Sequence, residues 1–224
     1  ENWEKLEQYD NHAPKTMNAH LHVLEAYTLL YQCWKDNGLK KRLEFCVDLF
    51  MNRIYDPSRK HFNLFFDNEW NSLVEMDSYG HDVETGWLLC EAARTLENQD
   101  LIEQTNQLAL DVTEACLAEG MSDKGYMIYE KKGDRKTKHA SWWGQIETMI
   151  ACVNAWQISG NDVYLQSADT VWTFVKDCMI DREYGEWYSD CFDGEPKKDT
   201  PKVSMWRCPY HTVRLGVEIH NRLK

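Results

Sequence analysis

The sequence lacks three patterns that mark common classes of protein. It contains no apolar run long enough to span a bilayer, and its first residues are acidic and polar. Its eight cysteines stand at least 13 residues apart, so no CxxC or other zinc-binding spacing occurs. Basic residues are few, with 25 Lys and Arg against 37 Asp and Glu and a net charge of −12. We therefore expect a soluble protein of the reducing cytoplasm that binds neither nucleic acid nor membranes.

Signatures of several enzyme classes are also missing. The sequence has no GxSxG nucleophile motif, no P-loop, no dinucleotide-binding glycine pattern and no HExxH motif. His20 with His22, and His81 with Glu84, keep a metal site as a competing use of these residues, although no tight cluster of three ligands occurs. We predict that the protein uses no metal and no cofactor.

Length and periodicity indicate an all-α fold. The 224 residues suffice for one large domain, and apolar residues recur mainly at helical spacing. Asn37-Gly38 is the expected stop signal of the first helix, and Pro209 is a favourable residue for the start of the last one. Seven helices are predicted, at about 17–34, 39–55, 79–97, 100–119, 141–159, 162–179 and from 209 onward.

Each pair of helices, with the long aromatic loop beside it, forms one unit of a repeat. A pair of positions three residues apart returns at the start of the first helix of every unit. The four pairs are His22 with Glu25, His81 with Glu84, Gly144 with Glu147, and His211 with Arg214. In the third unit, Trp142 and Trp143 stand where the other units have His. This recurrence favours a closed ring of helical hairpins over an open solenoid, because only a ring brings these positions to one cavity.

Histidines and glutamates near a helix N-terminus allow two interpretations. Carboxylates there offset the unpaired backbone amides and the helix dipole, and a half-buried His is often only a hydrogen-bonded structural residue. Several imidazoles and carboxylates around one cavity instead suit proton transfer, since His titrates near neutral pH and a carboxylate can fix its tautomer. Trp142, Trp143 and Trp206 offer flat faces for sugar rings, or belong to the core. Recurrence at one register favours the functional interpretation.

Four segments occur in order over nearly the whole chain. They read MNAHLHVLEAYT from Met17, YGHDVE from Tyr79, SWWGQIE from Ser141 and WRCPYH from Trp206. Together they resemble the N-acylglucosamine 2-epimerase superfamily, and in particular its members that act on disaccharides. The resemblance implies an (α/α)6 barrel and a reversible, metal-free epimerisation at C2 of the reducing-end sugar of a β-1,4-linked disaccharide such as cellobiose or mannobiose.

The resemblance also implies roles for individual residues. In the family, two histidines flank C2 of the ring-opened sugar and act as general acid and base through a cis-enediolate. By motif match these are His81 and His211. His22, grouped with the catalytic histidines, and Asn18 match contacts to the carbonyl and hydroxyl oxygens of the open chain. The substrate-binding set is completed by the orienting partners Glu84 and Glu147 and by the stacking walls Trp142, Trp143 and Trp206.

The chain departs from the family in its length. Family members are nearly twice as long, and the N-terminal hairpins that bring an Arg and a Tyr into their cavity have no counterpart here. We therefore expect residues 1–224 to form a single domain that is the C-terminal part of an (α/α)6 barrel. A partial ring leaves apolar surface of its inner helices uncovered, so we expect self-association and doubt that the short chain is active alone.

Other functions remain open at this point. An aldose–ketose isomerase of the mannose type would reprotonate the same enediolate at C1, and an N-acylglucosamine 2-epimerase would take an amino sugar instead. From other classes, an (α/α)6 glycoside hydrolase or lyase would use paired carboxylates, and an inactive barrel would only bind oligosaccharides.

Overall fold

The computed structural model describes residues 13–204 and 207–224. This part of the chain contains seven α-helices, which confirms the predicted all-α class and the number of helices. They are α1 (Met17–Cys33), α2 (Asn37–Leu49), α3 (Tyr79–Leu96), α4 (Gln99–Gly120), α5 (Trp142–Ser159), α6 (Val163–Phe174) and α7 (Tyr210–Arg222). Helices α2 and α6 each continue into one π-helical turn, Phe50–Ile54 and Val175–Met179. Among these described helices, none is both long and apolar enough to cross a bilayer.

The segments between the helices contain short β-strands. Each has two or three residues: β1 (Lys15–Thr16), β2 (Tyr55–Asp56), β3 (His61–Phe62), β4 (Phe65–Phe66), β5 (Met76–Ser78), β6 (Glu130–Lys132), β7 (Arg135–Lys136), β8 (His139–Ser141), β9 (Asp190–Phe192) and β10 (Glu195–Pro196). Strand β1 pairs with β4, β2 with β3, and β6 with β7, all antiparallel. Strand β9 lies between β8 and β10 in a three-stranded antiparallel sheet.

The predicted stop of the first helix is wrong. Helix α1 ends at Cys33, and Asn37 and Gly38 form the first turn of α2 instead. The carboxylate of Asp36 accepts a hydrogen bond from the Leu39 backbone N–H at 2.9 Å and so caps α2. An Asp at this position stabilises a helix start, which outweighs the tendency of Asn-Gly to form a turn.

The chain divides into two compact units. The first comprises residues up to Asp77 together with Leu88–Thr105, and the second comprises Ser78–Trp87 together with the residues from Asn106 onward. The first half of α3 therefore belongs to the second unit and its remainder to the first. The single domain over residues 1–224 stays a prediction.

The first unit buries one face of α1 against α2. The buried residues of α1 recur every three or four positions, which is the spacing of a helix with one face in the core. They are Met17, Leu21, Leu24, Thr28 and Tyr31. The aromatic segment after α2 also belongs to this core, because Phe62, Phe65 and Phe66 are buried.

The second unit is built around α5. Every residue from 144 to 155 is buried, and α5 packs against both α6 and α7. A helix that is buried all round has the character of an inner helix. It ends at Gly160, whose backbone adopts the left-handed conformation that glycine tolerates best, with φ of 69°. Its first turn carries Trp142 and Trp143, and its second turn carries Glu147.

Candidate active site

His81 lies in the first turn of α3, where two side chains set its orientation. Ser78, the residue before the helix, makes a 2.7 Å hydrogen bond between its Oγ and Nδ1 of His81. The Trp143 ring packs against the imidazole with a centroid distance of 4.6 Å. Gly80 permits this approach, because a Cβ atom at that position would lie 2.7 Å from Cζ3 of Trp143. The imidazole is thus held both by a hydrogen bond and by a ring contact.

His211 lies in the first turn of α7 and is anchored to a buried carboxylate. Its Nδ1 is 2.7 Å from Oε1 of Glu147, whose side chain is completely buried. The other oxygen of Glu147, Oε2, accepts a hydrogen bond from Trp87 Nε1–H at 2.9 Å. An ionised carboxylate only accepts hydrogen bonds, so we assign the proton to Nδ1 of His211 and the basic lone pair to Nε2. This is the arrangement of a histidine that acts as a base through Nε2.

Arg214, one turn further along α7, joins two glutamates of different helices. Its Nη1 donates to Oε1 of Glu84 at 2.7 Å and to Oε1 of Glu147 at 3.0 Å. The guanidinium also lies over the ring of Tyr210, 4.2 Å from its centroid. All three charged side chains are at most 7 % exposed. The permanent charge of Arg214 therefore balances buried carboxylate charge beside His211.

The same cluster offers metal ligands, but Arg214 supplies the cation there. Glu84, Glu147 and His211 each have one ligand atom within 4.8 Å of the others. However, Oε1 of Glu84 and Oε1 of Glu147 both bond Nη1 of Arg214. A divalent ion at this place would meet a fixed positive charge at close range, so these residues fit an arginine-bridged pair better than a metal site.

The ring of Trp143 contacts both histidines. Its ring centroid lies 4.6 Å from that of His81 and 5.8 Å from that of His211. The ring of Trp142 lies 6.3 Å from that of His211 and nearly perpendicular to it, and the Arg207 guanidinium lies 4.8 Å from the Trp142 ring. The structure therefore brings six predicted site residues together in the second unit: His81, Glu84, Trp142, Trp143, Glu147 and His211.

The remaining predicted site residues lie elsewhere in the chain. Asn18 and His22 are on α1 in the first unit, where Nδ1 of His22 is 3.3 Å from Oε2 of Glu25. The Oδ1 atom of Asn18 is buried and, within the described residues, has no hydrogen-bond partner. Trp206 lies outside the described residues. The roles of Asn18, His22 and Trp206 stay predictions.

The sequence analysis missed Arg214 and Ser78 as site residues. Arg214 stands at the repeat position where the other units have Glu, and this change of charge was the available signal. Ser78 gave no comparable signal, because a serine before a helix is expected as a cap alone. Trp87, the donor to Glu147, was indistinguishable in sequence from a core residue.

A second polar group lies beside Trp143. The Tyr129 ring is 6.0 Å from Trp143 and 4.8 Å from His139, and Nε2 of His139 is 2.5 Å from Oδ1 of Asp190. Burial alone would raise the pKa of Asp190, but the hydrogen bond and charge of His139, together with Ser189 and Lys197, outweigh it and lower that pKa. Oε2 of Glu130 is buried and has no hydrogen-bond partner among the described residues, and burial raises its pKa.

Comparisons with known proteins identify the family. The model of the N-acylglucosamine 2-epimerase family matches residues 2–214. The cellobiose 2-epimerase of Bacteroides fragilis is 40% identical over 220 residues, which cover 96% of this chain and 55% of that protein. That of Ruminococcus albus is 36% identical, with coverage of 98% and 57%. The chain thus spans slightly more than half the length of these relatives.

Solved structures agree with the sequence comparison. The structure of cellobiose 2-epimerase from Bacillus thermoamylovorans matches with a TM-score of 0.91 and 36% identity, over 99% of this chain and 57% of that one. Such structural neighbours are (α/α)6 barrels, which confirms the predicted fold class, and the coverage is consistent with the predicted C-terminal part. The chain belongs to the N-acylglucosamine 2-epimerase family.

Proposed function

We propose that this protein catalyses reversible epimerisation at C2 of the reducing-end sugar of a β-1,4-linked disaccharide, cellobiose or mannobiose. The observation that carries the proposal is the placement of His81 and His211 against one tryptophan, Trp143, with each imidazole bonded through Nδ1. Imidazoles anchored through Nδ1 exchange protons through Nε2. The similarity to cellobiose 2-epimerases supports a disaccharide as the substrate.

The reaction needs a base and an acid on opposite faces of one carbon. In the ring-opened sugar, one histidine removes the proton from C2, and the electron pair of that C–H bond moves into a C1–C2 double bond while the carbonyl oxygen becomes an enediolate oxygen. The other histidine then returns a proton to the opposite face of C2 and the carbonyl re-forms. No atom is gained or lost, and the two histidines exchange roles in the reverse direction.

The charges around His211 suit this proton transfer. When the imidazole accepts a proton, the carboxylate of Glu147 at 2.7 Å stabilises the positive charge that develops. Arg214 keeps Glu147 and Glu84 in place and supplies a counter-charge when His211 is neutral. We assign Glu84 and Glu147 as orienting partners rather than as groups that react with the sugar.

The tryptophans are proposed to hold the sugar. Trp143 contacts both imidazoles and Trp142 lies beside His211, so their ring faces suit stacking on the apolar faces of sugar rings. Trp206 is proposed as a third wall. Asn18 and His22 are proposed as contacts to the oxygens of the open-chain sugar, His22 among the catalytic histidines.

The test is proton NMR of cellobiose and of mannobiose in D2O, with the full-length gene product and this 224-residue chain assayed side by side. We expect exchange of the C2 proton with appearance of the epimer. His81→Ala and His211→Ala should each abolish exchange, whereas His220→Ala, an exposed histidine near the end of α7, should keep it. Substantial exchange in either of the first two variants would overturn the assignment.

The alternative functions would give different outcomes in the same experiment. A ketose product with deuterium at C1 would identify an aldose–ketose isomerase instead. Cleavage of the disaccharide would identify a glycoside hydrolase. Exchange by the full-length protein alone would show that segments outside this chain complete the site.

A further inference from the structure

Three helices of this chain begin with the same side-chain cap, and α3 begins with a variation of it. Thr16 before α1 and Asp36 before α2 each accept a hydrogen bond from the backbone N–H of the third helical residue, at 3.2 and 2.9 Å. Ser141 does the same before α5, at 3.2 Å. Before α3 the corresponding residue is Ser78, and its Oγ lies 2.7 Å from the side chain of the third helical residue, His81.

We propose that Ser78 is the positioning residue of His81, a role that rests on the proposed function. Ser78 is completely buried, so its hydroxyl is shielded from competing water. The hydroxyl holds Nδ1 of the imidazole, and Trp143 packs against the ring at 4.6 Å. Together these contacts fix the direction of Nε2, the atom that exchanges the proton with C2 of the sugar.

A serine hydroxyl can hold the imidazole in either of its tautomers. A serine Oγ both donates and accepts hydrogen bonds, so it can pair with Nδ1 whether that nitrogen carries a proton or a lone pair. Glu147, the partner of His211, can only accept while it is ionised. The bond from Ser78 therefore persists in every protonation state of His81 that a reversible reaction requires, and the ring keeps one orientation throughout.

The first experiment measures ring position without relying on activity. In the 224-residue chain, nuclear Overhauser contacts between the ring protons of His81 and Trp143 report the orientation of the imidazole. We expect Ser78→Ala to weaken these contacts and to shift the pH titration of His81. Asp36→Ala removes a helix cap of the same geometry from α2 and should leave both signals unchanged. Wild-type contacts and titration in Ser78→Ala would overturn the proposal.

The second experiment measures turnover in the full-length protein. We expect Ser78→Ala to lower kcat about 10- to 100-fold with KM changed less than about twofold, because a misdirected base slows chemistry more than binding. Ser78→Thr keeps the hydroxyl and should recover most of the loss, and Asp36→Ala should keep the wild-type kcat. A Thr variant no faster than the Ala variant would contradict the role of the hydroxyl. If the wild type shows no C2 exchange, the proposed function fails, while the NMR experiment still decides whether Ser78 positions His81.

Discussion

Replacing Arg214 by Met tests whether one arginine holds the site together. The change removes a cation that lies 2.7 Å from Glu84 and 3.0 Å from Glu147, in a cluster that is at most 7 % exposed. Removing one partner of a buried ion pair costs about 3–5 kcal/mol of unfolding free energy, because the remaining charge stays buried without compensation. For a chain of this size, each 1 kcal/mol lowers Tm by about 2–4 °C. We therefore expect Tm to fall by about 6–20 °C.

The assay is thermal unfolding followed by circular dichroism, with a surface arginine as the control. Arg94 pairs with Glu91 at the same distance of 2.7 Å, but those side chains are 35% and 30% exposed. Arg94→Met should therefore cost less than about 1 kcal/mol. The double variant Arg214→Met with Glu84→Gln should recover part of the loss, because it removes one of the two buried charges. A Tm for Arg214→Met equal to that of Arg94→Met would refute the reasoning.

Two further predictions concern the loops and the tryptophan contact. The hydrogen bond from Lys202 lowers the pKa of Asp181 from 3.8 to about 2, so its stabilising effect is complete above pH 3.8 and is lost as the pH falls toward 2. The stability difference between wild type and Asp181→Asn, measured by urea unfolding, should therefore shrink over that range, and a constant difference would contradict this. Gly80→Ala places a Cβ 2.7 Å from Trp143 and should reduce C2 exchange, whereas Gly216→Ala, at an exposed position of α7, meets no atom within 4 Å and should raise Tm slightly. Equal exchange in these two glycine variants would argue against the Trp143 contact.

The repeat made part of the site predictable from sequence. His81 and His211 fall at one register at the start of a helix, Glu147 falls at the register of Glu84 three residues further on, and helical periodicity located those helices to within a few residues. The pairing between them was not predictable. Glu147 lies 64 residues from His211, and no local pattern indicates which carboxylate reaches which imidazole. The distance between side chains depends on how helices pack, which a single sequence does not specify.

Glu130 shows a second reason why the sequence did not predict some structural features. It stands beside Lys131 and Lys132 in a segment whose composition is typical of a solvated loop. The structure instead buries Glu130 on β6, while Lys131 turns to Glu119 at 2.8 Å. Alternation along a strand places neighbouring side chains on opposite faces, so a buried carboxyl group sits next to a half-buried lysine. Composition averages over both faces and conceals such a residue.

The three residues of the Arg214 bridge are synthesised at different times. Glu84 is synthesised 130 residues before Arg214, and Glu147 67 residues before it. At the usual rate of translation, Glu84 waits on the order of 10 seconds for its cation. During that interval the nascent chain carries first Glu84 and then also Glu147, while their shared arginine and the imidazole of His211 have not yet been made. The charges of the site therefore reach their final balance only when α7 leaves the ribosome and docks.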